Sequence, residues 1–176
     1  IVTDQREAVR IAVETGTRLG DNPRRTALDI AGRINRATQR REGGIVGLTS
    51  QQSGWVANVR EELASGDPEL LRRYLGRELR DKRFDSAVRK AIRTGEPIKA
   101  GTARRAAERY ADRALRYRGE TIARTEALSG LQAAKDEAFR QAVDAGEIPR
   151  QGLQKRWNAT SDSRTRDSHS AMDQDI

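Results

Sequence analysis

The sequence predicts a mainly α-helical, elongated protein with long helices and a small β or extended element at its C-terminal end. Three observations support this fold class. Apolar residues recur at helical spacing along most of the chain. Capping residues, glycines and prolines mark where the segments begin and end. Only 35% of the 176 residues are apolar while 34% are charged, so a dense globule has too few core residues and an elongated helical shape is expected.

Two helices are predicted in the N-terminal region. Residues 2–19 form the first, with Val9 and Val13 on its apolar face, and the glycines and Pro23 that follow end it. The second is predicted over residues 24–41, where a narrow apolar stripe is surrounded by arginines. A helix with so small a stripe is marginal alone and must pack on another element. The stripe consists of Ala27, Ile30, Ala31, Ile34 and Ala37.

The clearest helix boundaries lie between residues 44 and 97. Thr49 followed three residues later by Gln52 is the pattern of a capping box. Asp67 followed by Pro68 is an N-cap with proline in the first helical position. The apolar residues expected in these buried faces are Trp55, Val56, Val59, Leu63, Leu70, Leu71, Tyr74, Leu75, Leu79, Phe84, Ala87, Val88, Ala91 and Ile92.

A long helix is predicted from Thr102 to about Ala145, with at most a hinge near Gly119. Three acid-before-base pairs four residues apart favour helix by a few tenths of a kcal/mol each; they are Asp112–Arg116, Glu120–Arg124 and Asp136–Arg140. Beyond Gly146 the pattern indicates a short hairpin or extended segment. We therefore expect an N-terminal helical arm (1–43), a helical region (44–146) and a C-terminal element (147–176) packed on the long helix. The chain begins at Ile1, which suggests a fragment of a longer protein.

Composition excludes several classes of site. No cysteine occurs, which excludes disulfides and cysteine-bound zinc. No apolar run approaches the roughly 20 residues of a membrane helix. The single histidine, His169, lies near Asp162, Asp167 and Asp173, and these residue types suit a hard or borderline metal ion. A metal-dependent nuclease is therefore the alternative to a structural role, although the same aspartates can cap turns. We predict no catalytic residue, no metal and no cofactor.

A basic surface is predicted around residues 72–93. The whole chain has a net charge of +8, and this stretch has nine basic and three acidic residues. Such a surface can attract phosphates through charge alone, or an acidic protein partner. Its simplest alternative is a solvated charged face. The residues expected to contribute are Arg72, Arg73, Arg77, Arg80, Arg83, Arg89 and Lys90.

A polar lock is predicted between the C-terminal segment and the long helix. Arg164 and Arg166 are two residues apart in an extended segment and therefore face the same side. We expect them to grip the carboxylate of Glu126 through charge-assisted hydrogen bonds, under the ring of Trp157. The complete set assigned to this lock is Arg124, Glu126, Trp157, Asp162, Arg164, Arg166 and His169.

Two stretches carry a family resemblance. "YRGETIARTEAL" begins at Tyr117, and "KRWNATSDSRTRDSHSAMD" follows from Lys155. Together they resemble the phage head morphogenesis family, the Mu F-like minor head proteins, whose pattern is an "ARTE" helix followed by W…D-x-R-x-R-x-x-H and a closing "MDG". The match spans residues 118–173, and the glycine expected after Asp173 is absent.

The resemblance implies a non-enzymatic minor capsid protein. Members of this family are present in few copies inside the capsid of the virion, bound to the portal vertex, and act in head assembly and in DNA packaging or ejection. The implied partner is the portal protein, with no membrane, and the implied location during assembly is the host cytoplasm. The basic surface adds double-stranded DNA, bound non-specifically, as a second expected partner. The alternatives are a metal-dependent nuclease or toxin-like domain, and a general non-specific DNA-binding protein.

Overall fold

The computed structural model describes residues 2–38 and 41–151. Within them the chain forms six α-helices: α1 Val2–Arg18, α2 Pro23–Ala31, α3 Ser50–Ala64, α4 Pro68–Gly76, α5 Asp85–Thr94 and α6 Ala100–Asp144. Two short strands, β1 Arg33–Ile34 and β2 Arg41–Glu42, and a 3-10 turn, Lys82–Phe84, complete the order. The prediction of a mainly α protein with a long helix over residues 102–145 is confirmed, since α6 alone has 45 residues.

The chain divides into two compact units at residue 130. The first holds both hydrophobic cores, whereas the described part of the second is the end of α6 and the turn after it. The expected three-part division at residues 43 and 146 stays a prediction. Among the described residues, none of the helices combines the length and apolar character that crossing a membrane requires.

The helix predicted over residues 24–41 is wrong beyond Ala31. Gly32 has a positive φ of 85°, and a β-carbon there would lie 2.5 Å from the carbonyl oxygen of Glu42. The chain therefore leaves the helix at a glycine and forms an antiparallel pair in which Arg33 faces Glu42 and Ile34 faces Arg41. The Arg41 guanidinium donates to the carbonyl of Gly32 at 2.5 Å and fixes this turn. Ile34 is partly exposed as a result and does not extend the α2 stripe.

The first core lies among α3, α4, α5 and α6. Its buried residues are Val56, Val59, Leu63, Leu71, Tyr74, Val88, Ala91, Ala106, Ala107 and Tyr110. The predicted caps set the directions of these helices. The Thr49 hydroxyl accepts from the Gln52 backbone N–H and the Gln52 side chain accepts from the Thr49 N–H, both at 3.1 Å, and the Asp67 carboxylate caps α4.

The second core joins α1, α2 and the later part of α6 with small side chains. Its buried residues are Val9, Val13, Ala27, Ile30 and Ala123. Gly119 lies where α6 crosses α2, and a β-carbon at this position would come within 2.8 Å of the Ala27 carbonyl oxygen. The helix α6 is continuous through Gly119. The glycine at the predicted hinge therefore permits a close helix crossing.

Candidate functional site

The seven basic residues predicted to form one surface have different environments. Arg77, at the end of α4, is mostly buried and donates to both oxygens of Glu62, with Nη2 at 2.7 Å and Nε at 2.8 Å. Its guanidinium also lies 5.6 Å from the centre of the Tyr110 ring. The hydrogen bonds to Glu62 raise the pKa of Arg77 further above its already high value. This fork joins α3, α4 and α6 and serves the fold.

A buried carboxylate, Asp81, organises the turn that follows α4. Asp81 is 2% exposed and accepts from Nη2 of Arg83 at 2.6 Å and from Nε of Arg83 at 3.1 Å. It also caps the 3-10 turn by accepting from the Arg83 backbone N–H, and Nη2 of Arg113 lies 3.6 Å away. The hydrogen bonds from the Arg83 side chain are the main reason that the pKa of Asp81 is lowered to about 2.

A second buried carboxylate, Asp85, lies in the first turn of α5. It accepts from Arg80 through Nε at 3.1 Å and Nη2 at 3.2 Å, and Nη2 of Arg89 lies 3.5 Å away. Arg113 links the two carboxylates, because its Nη1 donates to the Arg80 carbonyl at 2.5 Å while its Nη2 faces Asp81. Residues from the turn, α5 and α6 are thereby fixed in one network.

Tyr74 lies beside this network on its buried side. The side chain is completely buried, and its hydroxyl makes no hydrogen bond within the described part of the chain. Burial is the main reason that the pKa of Tyr74 is raised to about 12, and the negative charges of Asp85 and Asp81 contribute to this rise. The phenol therefore stays protonated at neutral pH and contributes no negative charge.

The arginines of this network have an excess of positive charge over the carboxylates they contact. Two carboxylates hold four guanidinium groups, which we name the arginine cluster: Arg80, Arg83, Arg89 and Arg113. Arg80 is largely buried, but the side chains of Arg83, Arg89 and Arg113 are 73%, 64% and 45% exposed. Guanidinium groups suit carboxylate and phosphate oxygens. The exposed ends of the cluster can therefore bind an anion.

Sequence analysis missed Arg113, and it treated Arg77 and Arg80 as surface residues. Arg113 is 30 residues downstream of Arg83, on α6. Only the packing of α6 against the turn brings the two arginines to one carboxylate. The one local signal was the pair of aspartates, Asp81 and Asp85, within the basic run.

The other predicted contact residues lie nearby on α4 and α5. Arg72 and Lys90 are exposed and pair with Glu69 and Glu96, respectively. Arg73 is also exposed. Whether any of the seven contacts DNA or an acidic partner stays a prediction.

The predicted polar lock falls mostly outside the described residues. Of its seven members, only Arg124 and Glu126 are described, and both are exposed on α6. Glu126 borders a cavity of about 560 Å³ whose apolar lining includes Val9 and Ile122. The remaining five, Trp157, Asp162, Arg164, Arg166 and His169, lie beyond residue 151. The lock therefore stays a prediction.

The residues considered for a metal site also lie beyond residue 151. Asp162, Asp167, His169 and Asp173 are all outside the described part of the chain. Within residues 2–38 and 41–151, no group of three or more histidine, cysteine or acidic residues is placed to hold a metal ion.

No protein-family model, curated protein or solved structure matches the chain. The resemblance to phage head morphogenesis proteins therefore rests on the sequence pattern.

Proposed function

We propose that the chain is a minor head protein of the phage head morphogenesis type. It is present in few copies inside the capsid, binds the portal protein, and aids head assembly and DNA packaging or ejection without catalysing a reaction. The sequence pattern over residues 118–173 supplies the identity of this proposal. In the part of the chain that the structure describes, the polar groups are arranged as structural pairs, which suits a non-enzymatic role.

Within the described part of the chain, the pairing of the buried acidic residues supports a structural role for them. Glu62, Asp81 and Asp85 each accept hydrogen bonds from an arginine. A general acid or base needs a pKa near the working pH, whereas the pKa of Asp81 lies near 2. These carboxylates stabilise the fold, and Asp81 and Asp85 also hold the exposed Arg83 and Arg89, an arrangement that suits binding.

The stretch that resembles the family also supports a binding role. Its small residues Gly119 and Ala123 are buried against the second core. Arg124 and Glu126, which belong to the "ARTE" motif, are exposed. Ala123 therefore packs α6 on the second core, while Arg124 and Glu126, two residues apart and so on different faces of the helix, leave charged groups exposed to a partner.

Co-expression with the portal protein of the same phage tests the proposal. We expect an affinity-tagged chain to co-elute with the assembled portal through size-exclusion chromatography. An exchange of the two exposed motif charges, Arg124→Glu with Glu126→Arg, should weaken this association. An equivalent exchange at Glu137 and Arg140, also on α6 and also exposed, provides the control. An intact portal that elutes without the chain would contradict the proposal.

An incubation with plasmid DNA and Mg²⁺ or Mn²⁺ tests the enzymatic alternative. We expect the plasmid to remain intact. Cleavage that disappears in His169→Ala would instead support a metal-dependent nuclease.

A further inference from the structure

Arginines from three separate segments converge at one place in the first compact unit. Arg83 comes from the 3-10 turn, Arg89 from α5 and Arg113 from α6. Asp81 holds Arg83 and Arg113, while Asp85 holds Arg89 together with Arg80. The hydrogen bond from Arg113 to the Arg80 carbonyl connects the two halves. The convergence thus depends on tertiary packing and goes beyond a run of basic residues in the sequence.

Anchoring makes these arginines better ligands for an anion than ordinary surface arginines. A free arginine side chain loses up to about 2 kcal/mol of conformational entropy when it is fixed on a ligand. Here much of that ordering is already imposed by buried carboxylates that are 2% and 5% exposed. The four guanidinium groups also exceed the two carboxylates by two positive charges, which leaves attraction for an external anion.

The contacts inside the cluster leave some guanidinium N–H groups of Arg83 and Arg89 without a carboxylate partner in the cluster. Arg83 uses Nε and Nη2 on Asp81, so its Nη1 remains for a ligand. Arg89 contacts Asp85 only through Nη2, at 3.5 Å, which leaves Nε and Nη1. A guanidinium held through one edge by a carboxylate can offer its other N–H groups to a phosphate oxygen.

The surroundings of the cluster favour a nucleic-acid backbone over a protein. The neighbouring exposed residues include Lys82, Lys90 and Arg93, and lysine is depleted at protein–protein interfaces. The aromatic side chains next to the cluster are Tyr74, which is buried, and Phe84, which packs on the first core. Binding of single strands relies on exposed aromatic rings that stack on bases. A duplex, which presents only its charged backbone, fits this surface better.

We propose that Arg83, Arg89 and Arg113 bind the phosphate backbone of double-stranded DNA without reading its sequence. The inference deepens the proposed function by naming a second partner, and it rests on that function for its setting inside a DNA-filled capsid. The carboxylates Asp81 and Asp85 act as positioning residues for the three guanidinium groups.

Fluorescence anisotropy with a short labelled duplex, measured over a range of salt concentrations, tests this proposal. Each phosphate contact contributes about 0.9 to the slope of log K against log salt. We expect the combined Arg83→Gln, Arg89→Gln, Arg113→Gln variant to lose up to about three units of slope. Each phosphate contact that is removed should also lower the affinity about eightfold at 0.1 M salt.

A matched control removes the same charge elsewhere. Arg10, Arg104 and Arg140 are exposed arginines whose ion-pair partners, among the residues that the structure describes, are nearby glutamates on their own helices. Their combined change to glutamine should leave the slope nearly unchanged. An equal loss in this control would overturn the proposal, because affinity would then follow net charge alone.

Two further measurements keep the test decisive. Arg89→Gln alone leaves Asp85 paired with Arg80, so this variant should fold, as judged by circular dichroism, and lose about one unit of slope. A folded Arg89→Gln variant with unchanged slope would contradict the assignment. Poly-glutamate that binds more tightly than duplex DNA, through the same three arginines, would assign the surface to an acidic protein instead. Because no portal protein is present, failure here is distinguishable from failure of portal binding.

Discussion

The two cores within residues 1–130 are stabilised in different ways. The first contains long and aromatic side chains, such as Leu63 and Tyr74, and is bordered by buried carboxylates paired with arginines. The second contains mainly small side chains and depends on helices that approach closely at Gly119. The helix α6 contributes to both, through Tyr110 in the first and Ala123 in the second.

The difference shows how a chain with few apolar residues gains specific structure. At the border of the first core, buried carboxylates pair with arginines, and two of these carboxylates, Asp81 and Asp85, also hold exposed guanidinium groups. In the second core, the missing side chain at Gly119 lets the α6 backbone lie directly against the Ala27 carbonyl and the Ala31 methyl group. The arginine cluster, which we propose as a binding surface, therefore borders the first core, where paired charges are part of the structure.

The largest expected effect is on the first core. Glu62→Ala removes the carboxylate from Arg77, which is mostly buried and would lose two short hydrogen bonds. Breaking a buried pair in this way costs about 3–5 kcal/mol. We expect a loss near the lower end of that range in the free energy of unfolding by urea, because Arg77 retains some exposure. Glu7→Ala, which breaks the exposed pair with Arg10, should cost under about 1 kcal/mol; equal losses would remove the distinction between buried and exposed pairs.

The second core should be most sensitive to an added methyl group. Gly119→Ala would place a β-carbon 2.8 Å from the Ala27 carbonyl oxygen and 2.9 Å from the Ala31 β-carbon. Such overpacking costs about 1–3 kcal/mol. Gly130→Ala is the matched control on the same helix, since nothing lies within 4 Å of its β-carbon. The control should gain up to about 1 kcal/mol from helix propensity. Thermal unfolding in which both variants respond alike would contradict the close crossing.

Acid should weaken the first core through Asp81. The pKa of this carboxyl is lowered from 3.8 to about 2, so its stabilising effect is complete above about pH 4 and is lost as the pH falls through 2. The shift corresponds to about 2 kcal/mol. Urea unfolding of the wild type at pH 5 and pH 2, compared with Asp81→Asn, measures this contribution. The variant should be less stable at pH 5 and have a shallower pH dependence; an unchanged dependence would assign the acid sensitivity to other carboxyls.

The smallest effect expected concerns the boundary of α3. Thr49→Ala removes the hydroxyl that accepts from the Gln52 N–H and should cost about 1 kcal/mol. Ser53→Ala, at an exposed position inside the same helix, should change the midpoint of thermal unfolding much less. If Ser53→Ala were the more damaging change, the capping box would not stabilise α3.

The first core was more predictable from the sequence than the second. Thr49, Asp67 and Pro68 are local signals, and the helices begin where these residues place them. The helix predicted through Ile34 failed because spacing alone continued past Gly32. That glycine adopts a positive φ and is followed by a strand pair whose partner, β2, lies several residues away along the chain. The helical spacing of apolar residues gives no sign that a strand pair will replace the helix at this point.

The candidate site was predictable only in part. The basic run was visible, but the sequence does not distinguish Arg77, which binds Glu62 inside the protein, from Arg83, which remains largely exposed. Arg113 was missed because a residue on a distant helix gives no local signal. The positions of buried carboxylates decide which arginines reach the surface, and those positions follow from tertiary packing.

Amide hydrogen exchange, compared between Glu62→Ala and Gly119→Ala, tests most directly whether the two cores are separate. If they are, Glu62→Ala should lose protection mainly in α3, α4 and α5, while α1 and α2 stay near wild-type protection. Gly119→Ala should show the reverse pattern, with faster exchange in α1 and α2. Equal loss of protection across all five helices in both variants would contradict this description and show that the two cores unfold as one cooperative unit.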